Sequence, residues 1–128
     1  MARLMRAEAL AEGNLGMLMV GNVIVNRAIA NCYTFKNIRS INDVVYQSPG
    51  GFSGVNSSLF NGASTTKEKE LAKRCLKGEY YYPATHCLWF YAPGRASGKS
   101  TWYGQPFAGS YKNHCFYRPD SGVCSELY

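Results

Sequence analysis

The stretch Leu4-Met5-Arg6-Ala7-Glu8-Ala9-Leu10-Ala11-Glu12-Gly13 places a carboxylate, Glu8, inside a short apolar run near the start of the chain. Residues 2–12 are predicted to form a helix that Gly13 ends, because glycine is favoured just beyond helix ends. On a helix with about 3.6 residues per turn, Glu8 and Glu12 share one face about one turn apart. The chain has only eight Asp and Glu residues, so acid–base chemistry has few possible positions.

A second helix is predicted over roughly 15–30, with Asn14 as its N-cap. Its sequence is apolar almost all round, which indicates a helix at the centre of the fold. Gly21 costs helix stability relative to Ala, so we expect another helix to approach closely there. Asn22 and Asn26, spaced i and i+4, are interpreted either as surface amides or as hydrogen-bond partners of a buried carboxylate.

Two more helices follow, separated by a glycine-rich loop. Ser40 is a predicted N-cap for a short helix that ends near Gln47. The loop 48–54 then holds three glycines, one proline and a phenylalanine, which is typical of a tight connection or of the wall of a binding groove. Thr65-Thr66-Lys67-Glu68 is a capping-box pattern, and it begins a helix predicted to run to about Lys77.

The last third of the chain has a different texture, rich in bulky strand-forming residues. Three strands are predicted there, at 87–91, 101–103 and 114–117. A helical half followed by a small antiparallel β half predicts an α+β fold. A chain of 128 residues fits a single domain, 1–128.

The composition limits the possible partners without choosing one. The net charge of +6, from 14 Lys and Arg against 8 acids, suits a polyanion such as nucleic acid or an anionic cell-wall polymer, or simply a solvated helix face. No nucleic-acid-binding motif accompanies the charge, so no nucleic-acid partner is predicted. The ten Tyr, six Phe and two Trp suit either a packed β lobe or a ligand with apolar faces, such as a sugar.

The five cysteines lack C-x-x-C spacing, so no metal site is predicted. We expect free thiols in a chain made in a reducing cytosol, although a disulfide framework is possible. The N-terminus has no signal-peptide pattern, and no stretch is long enough to span a membrane. The cysteines are Cys32, Cys75, Cys87, Cys115 and Cys124.

Glu8 is the strongest candidate for a general acid. Its neighbours Ala7 and Ala9 are small and apolar, and burial raises a carboxyl pKa toward the range a general acid needs. Glu12 lies at a Gly-Asn turn, so we expect it to be wetter and to take no part. Every other acid has a ready structural explanation. The alternative for Glu8 is an ion pair with a nearby arginine: Arg3, Arg6 or Arg27.

Other catalytic chemistries have less support. The chain has no G-x-S-x-G nucleophile elbow and no Gly-x-x-x-x-Gly-Lys phosphate loop. A Cys–His hydrolase would need a thiolate within reach of His86 or His114, and no spacing in the sequence pairs them.

Several segments, taken in order, have a familiar pattern. They are residues 2–9, 13–27, 44–47, 52–55, 88–93, 102–106 and 114–117. Together they resemble the spore cortex-lytic cell-wall hydrolases of the SleB/CwlJ type over nearly the whole chain. The segments Trp102-Tyr103-Gly104-Gln105-Pro106 and His114-Cys115-Phe116-Tyr117 make the chain more similar to the CwlJ branch.

This resemblance implies a lysozyme-like catalytic domain that acts on spore cortex peptidoglycan during germination. The family's catalytic acid falls on Glu8. The resemblance implies lytic transglycosylation, in which Glu8 acts first as an acid and then as a base. This reaction needs no metal or organic cofactor. A hydrolytic muramidase or glucosaminidase remains the alternative, because two carboxylates would permit hydrolysis. A non-catalytic peptidoglycan-binding module or a coat protein is the rival from another class.

Further site residues and partners follow from a glycan substrate. Phe52 and Ser53 would line the groove, and Gln47 would bind an N-acetyl group. Tyr91 and Trp102 would stack on sugar faces. His114 would brace the cleft or be an ordinary strand histidine. The resemblance also implies deposition at the spore coat or cortex without a signal peptide, and a possible coat partner protein.

Overall fold

The computed structural model describes residues 1–48, 51–92, 101–102 and 104–127, with only the backbone for residues 101 and 102. Four helices precede a four-stranded antiparallel sheet, which confirms the predicted α+β, lysozyme-like fold. The helices are α1 (Ala2–Ala9), α2 (Gly13–Ile29), α3 (Ile41–Val45) and α4 (Thr66–Leu76). The strands are β1 (Trp89–Tyr91), β2 (Thr101–Trp102), β3 (Gln105–Tyr111) and β4 (His114–Tyr117). Among the described helices, none is long and apolar enough to cross a membrane.

The first two helices meet at Gly13 with no loop between them. After α1 the chain tightens into a 3-10 turn, Leu10–Glu12, and α2 begins at once at Gly13. Gly13 has φ 78°, a left-handed conformation that favours glycine. The first helical segment therefore ends at Gly13, as predicted. The predicted Asn14 cap is wrong, because Glu12 occupies the N-cap position and makes no side-chain cap.

Helix α2 is the central element of the core, as its all-round apolar sequence predicts. Val20, Val23 and Ile24 are fully buried, and α1, α3 and α4 all pack against this helix. Gly21 permits that packing. A Cβ at this position would lie 2.5 Å from Cys75 Sγ of α4 and 3.0 Å from Met5 Cε of α1. The expected approach of α1 is therefore present, and α4 comes closer still.

Buried amides on α2 hold the segment that leads into the sheet. Asn22 donates to the carbonyl of Glu79 at 2.7 Å and accepts from the backbone N–H of Tyr81 at 2.9 Å. The Asn26 amide donates to the carbonyls of residues 84, 85 and 87 at 3.0–3.2 Å. Both sequence-based interpretations of this pair are wrong, because the amides are buried and their partners are backbone groups and the Cys75 sulfur rather than a carboxylate.

Helices α3 and α4 begin where their capping residues predict. Ser40 Oγ accepts from the backbone N–H of Asp43, and α3 ends at Val45, two residues before the predicted end. At α4, Thr65 Oγ1 accepts from the N–H of Glu68, and the Glu68 carboxylate accepts in return from the N–H of Thr65. This reciprocal pair is the predicted capping box.

The sheet has the strand order β1-β4-β3-β2, and every neighbouring pair is antiparallel. Three of its strands were predicted, although β1 is shorter than expected, and the fourth, β3, was missed. Strand β3 carries Pro106 and Gly109, both disfavoured in strands. A register shift between Phe107 and Gly109 accommodates them. Its pairing with β4, rather than its own propensity, makes this segment a strand.

The cysteine prediction is wrong for two of the five residues. Cys32, just after α2, and Cys124, near the chain end, form a disulfide across a sequence separation of 92 residues. Cys75, Cys87 and Cys115 are free and buried. A disulfide between residues so far apart could not be inferred from spacing, because only the fold brings their backbones within 5.2 Å.

Removal of the Asn26 amide is expected to destabilise the fold. Asn26→Leu should lower the free energy of unfolding by about 2–4 kcal/mol, because three carbonyls lose their donor. Urea denaturation measures the change. Asn14→Leu, at an exposed position of the same helix, is the matched control and should change stability by about 0.5 kcal/mol or less. Equal effects from the two variants would contradict the role assigned to Asn26.

Candidate active site

A cleft of about 750 Å³ lies where the end of α1, the end of α2, the 33–35 turn, the 51–53 loop and the sheet meet. Its volume is in the range of pockets that bind ligands larger than a single small group. The described residues that line it are Glu8, Arg27, Tyr33, Thr34, Phe35, Gly51, Phe52, Ser53, Trp89, Phe90, Tyr91, Ala92, Gln105 and His114.

Glu8 presents a half-buried carboxyl group to this cleft. Its Oε1 accepts a hydrogen bond of 3.1 Å from the backbone N–H of Gly54. Burial raises the pKa of Glu8 above its usual value, and the Gly54 hydrogen bond and the nearby positive charge of Arg27 oppose that rise. The protonated form is thus favoured by desolvation, while two groups remain in place to stabilise the carboxylate.

Of the arginines considered as ion-pair partners of Glu8, Arg3 and Arg6 bind other groups, and Arg27 acts on Glu8 as a nearby charge. Arg6 forms an ion pair of 2.9 Å with Glu68 and also donates to carbonyls of the 59–63 loop. Arg3 donates to the carbonyl of Phe60. Among the described residues, Glu8 therefore has no ion pair within 4 Å, so its carboxyl group is not explained as half of a salt bridge.

Glu12 contradicts the prediction that it would be the wetter of the two acids. It is buried, and its carboxylate faces the turn between β3 and β4, where it accepts from the N–H of Asn113 at 3.4 Å and from the Asn113 amide at 3.5 Å. The Lys112 ammonium donates to its backbone carbonyl at 3.1 Å. Glu12 does not line the described cleft, so burial alone does not make it a second active-site acid.

His114, the first residue of β4, lies beside Glu8 and is almost fully buried. Burial lowers the pKa of its imidazole, while the Glu12 charge and a polar contact with the backbone carbonyl of Glu8 act in the opposite direction. No partner for His114 Nδ1 is found among the described residues. A neutral ring with a polar edge at the base of the cleft is consistent with the predicted bracing role.

Aromatic rings surround one buried cation, Arg27, in the wall of the cleft. The guanidinium of Arg27 lies 4.2 Å from the ring centroid of Phe52 and 5.1 Å from that of Phe35. Its Nε donates to the carbonyl of Leu88 at 2.8 Å, just before β1. Phe52 in turn stacks on Phe90 of β1 at 5.7 Å. Arg27 thus joins the helical half, the glycine-rich loop and the sheet.

The predicted site residues are distributed unevenly around the cleft. Phe52, Ser53 and Tyr91 line it together with Glu8 and His114. Gln47 is not among its described lining residues. The side-chain oxygen of Gln47 accepts from Arg27 at 3.4 Å, and its amide donates to Thr34 at 3.5 Å. Gln47 would have to exchange these contacts to bind an N-acetyl group. The side chain of Trp102 lies outside the described residues.

Sequence reasoning missed several lining residues: Arg27, Tyr33, Thr34, Phe35, Trp89, Phe90 and Gln105. Most of these belong to segments that were interpreted as core, loop or strand, with no local motif that distinguishes them. The Val20-Gly21-Asn22-Val23-Ile24-Val25-Asn26-Arg27 segment is an exception, because a charge at the end of an apolar helix is a signal for a buried, paired cation.

Thiol and metal chemistry find little support in the described residues. Burial raises the pKa of Cys75 and of Cys87 to about 12, so neither is a thiolate near neutral pH. Cys87 is near His86 in a smaller pocket, but its thiol donates to the carbonyl of Pro83. Within the described part of the chain, no three His, Cys, Asp or Glu residues are grouped to hold a metal ion.

The fold and the cleft together define a lysozyme-like protein with one half-buried carboxyl group in an aromatic groove. Among solved structures, the catalytic domain of the Bacillus cereus SleB protein has a TM-score of 0.71 at 20% identity, covering 92% of this chain and 86% of that one. The catalytic domain of the germination-specific lytic transglycosylase SleB from Bacillus anthracis gives the same TM-score at 21% identity, covering 92% and 90%. These similarities concern the fold.

The sequence comparisons go further. The profile of the family described as Cell Wall Hydrolase matches residues 11–117. The chain is 49% identical to the cell wall hydrolase CwlJ of Oceanobacillus iheyensis, over all of this chain and 90% of that protein. It is 44% identical to CwlJ of Bacillus subtilis, over all of this chain and 89% of that protein. The chain belongs to the cell wall hydrolase family, of the SleB/CwlJ type and nearer the CwlJ branch. Glu8 precedes the residues that the profile matches.

Gly54 is expected to be essential for the placement of Glu8. A Cβ at this position would lie 3.1 Å from both Cδ and Cγ of Glu8 and 3.0 Å from Leu4 Cδ1. Gly54→Ala should therefore displace the carboxyl group and, with Glu8 as the expected general acid, lower cell-wall digestion about tenfold or more. Digestion assays and thermal unfolding measure the two effects. Full activity in a normally folded Gly54→Ala variant would contradict this placement.

The raised pKa of Glu8 predicts a pH-dependent stability difference between the native chain and Glu8→Gln. A carboxyl group with a raised pKa in the folded state contributes stability below its unfolded pKa of about 4.3, and that contribution is lost as pH rises through the folded value. Glu8→Gln should therefore become more stable, relative to the native chain, between pH 4 and pH 7. Urea denaturation at both pH values measures it. A difference that does not change with pH would contradict the raised pKa.

Proposed function

We propose that this protein degrades the peptidoglycan of the bacterial spore cortex. It cleaves the glycan strand between N-acetylmuramic acid and N-acetylglucosamine, and Glu8 is the general acid and then the general base of a lytic transglycosylase reaction. The observation that carries the proposal is the Glu8 carboxyl group, half-buried, held by the Gly54 N–H and facing an aromatic cleft. Family membership and the similarity to CwlJ proteins support a cell-wall substrate.

The environment of Glu8 suits proton donation in the first step. Oε1 accepts from Gly54, which leaves the other carboxyl oxygen to carry the proton. Desolvation raises the pKa of Glu8 and so favours that protonated state. In this step Glu8 protonates the glycosidic oxygen as the bond between that oxygen and C1 of the N-acetylmuramic acid breaks, which releases the next sugar with a new hydroxyl group.

The second step uses the carboxylate that remains. Glu8 accepts the proton of the C6 hydroxyl of the same N-acetylmuramic acid while its O6 attacks C1, so a 1,6-anhydro ring forms and Glu8 is protonated again. No water is consumed. The Gly54 N–H and the Arg27 charge favour the carboxylate between the two steps, and they partly offset the desolvation that favours the acid.

A single acid favours transglycosylation over hydrolysis. Hydrolases of the retaining or inverting type place two carboxyl groups across the scissile bond. Among the described residues that line the cleft, Glu8 is the only carboxylic acid, and the Glu12 carboxylate binds Asn113 instead. The name of the Bacillus anthracis relative, a germination-specific lytic transglycosylase, agrees with this reaction and with action during germination. Deposition at the spore coat or cortex, with a possible coat partner, is part of the same proposal.

Substitution of Glu8 tests the catalytic role. Glu8→Gln keeps an oxygen acceptor for the Gly54 N–H but cannot donate a proton, so digestion of isolated cortex should fall by a factor of about 100 to 10,000. The controls are Glu70→Gln, an exposed acid on α4, and Glu12→Gln, the buried neighbour. Both should retain most activity under a single-acid mechanism. Digestion by folded Glu8→Gln at the native rate would overturn the proposal.

Mass analysis of the released fragments distinguishes the two reactions. Anhydro ends, lighter by one water than reducing ends, are expected from transglycosylation. Reducing ends together with loss of activity in Glu12→Gln would instead identify a two-carboxylate hydrolase. Fragments cleaved on the other side of the N-acetylmuramic acid would contradict the proposed bond.

A further inference from the structure

Tyr33, Trp89 and Gln105 line a part of the cleft to which the proposed reaction at Glu8 assigns no role. Tyr33 follows α2, Trp89 begins β1 and Gln105 begins β3, so three separate segments meet there. The Tyr33 hydroxyl donates to Gln105 Oε1 at 3.2 Å, and the Tyr33 and Trp89 rings meet edge to face at 5.6 Å. All three residues line the same cleft as Glu8.

A chain of ring contacts connects this part of the cleft to the wall around Arg27. Trp89 lies 5.9 Å from Phe35, and Phe35 lies 5.1 Å from the Arg27 guanidinium, which also contacts Phe52. Phe52, two residues before Gly54, and Tyr33 line the same cleft, so this cleft extends from the segment that holds Glu8 to Tyr33. A glycan strand is a linear polymer, so a groove that continues past the catalytic acid has room for further sugar rings.

The backbone at Tyr33 is held in an unusual conformation. Its φ is 53°, in the left-handed region that bulky residues rarely adopt. Such residues persist where the surroundings fix them, and they are frequent in ligand clamps. Here the preceding residue, Cys32, is tied by the disulfide to Cys124, and the ring is held by Gln105 and Trp89. The fold thus keeps a partly exposed ring (38%) at the cleft surface rather than in the core.

We propose that Tyr33, Trp89 and Gln105 form a binding subsite for an N-acetylated sugar ring of the glycan strand, separate from the ring whose bond is cleaved. The inference rests on the proposed function, because it takes the same glycan strand as the ligand. Tyr33 and Trp89 offer apolar ring surface to the C–H face of a sugar. The Tyr33 hydroxyl, which donates to Gln105, can also accept a hydrogen bond from a sugar hydroxyl or amide group.

Binding measured without turnover tests the subsite. In the Glu8→Gln background, Kd for peptide-free peptidoglycan glycan strands is measured by calorimetry for the Tyr33 variants. Tyr33→Gly should raise Kd about tenfold, and Tyr33→Phe, which keeps the ring but loses the hydroxyl, about threefold. Tyr46→Ala is the matched control. Tyr46 is an exposed tyrosine in edge contact with Phe60, outside the described cleft lining, and its variant should leave Kd unchanged.

A stability comparison separates a binding role from a structural one. Because φ is positive at residue 33, Tyr33→Gly should melt at the same temperature as Tyr33→Ala or higher, while both lose affinity equally. If the variants instead lose affinity only to the extent that their Tm falls, the subsite is overturned and Tyr33 has a structural role.

The outcomes also separate the subsite from the proposed catalytic role. If Tyr33→Gly binds glycan with the parent Kd while Glu8→Gln abolishes digestion, the subsite is wrong and the proposed function stands. If Glu8→Gln digests cortex normally but Tyr33→Gly weakens binding, the subsite stands and the role of Glu8 is wrong. If glycan strands do not bind to Glu8→Gln with Tyr33 intact, the subsite is overturned.

Discussion

The hydrogen bonds from the end of α2 to the segment before β1 are the constraint on which the cleft depends. Asn26 donates to three carbonyls of residues 84–87, and Arg27 donates to the next, Leu88. Buried polar groups need partners, and these two side chains supply them to a segment with little regular structure of its own. The sheet is thereby fixed against the helices at the distance that leaves a groove between them.

The same constraint links architecture to electrostatics. Because Arg27 is buried to hold Leu88, its charge lies near Glu8 without being paired to it. Burial therefore favours the protonated form of Glu8, while Arg27 favours its carboxylate. Gly54 adds to the stabilisation of the carboxylate, because its N–H donates to Glu8 Oε1 where a Cβ would crowd the Glu8 side chain at 3.1 Å. A residue that acts first as an acid and then as a base needs burial to favour its protonated form and polar groups to stabilise its carboxylate.

Local patterns predicted local structure well. The capping box at Thr65 and Glu68 and the cap at Ser40 depend on residues three apart, so sequence contains the whole interaction. The β3 strand, the burial of Glu12 and the Cys32–Cys124 disulfide were missed. Each depends on a partner from a distant part of the chain. Glu12, for example, is covered by Asn113, about a hundred residues away.

The sequence by itself determined the helical core, the α+β class and the family. It also distinguished Glu8 from the other acids as the candidate general acid. Those inferences need only periodicity, neighbours and ordered motifs. Only the tertiary structure decided what surrounds Glu8: Gly54 as its donor, Arg27 as a nearby charge and an aromatic groove that includes Tyr33. The physical reason is that a carboxyl pKa and a binding surface depend on groups close in space, whichever segments of the chain supply them.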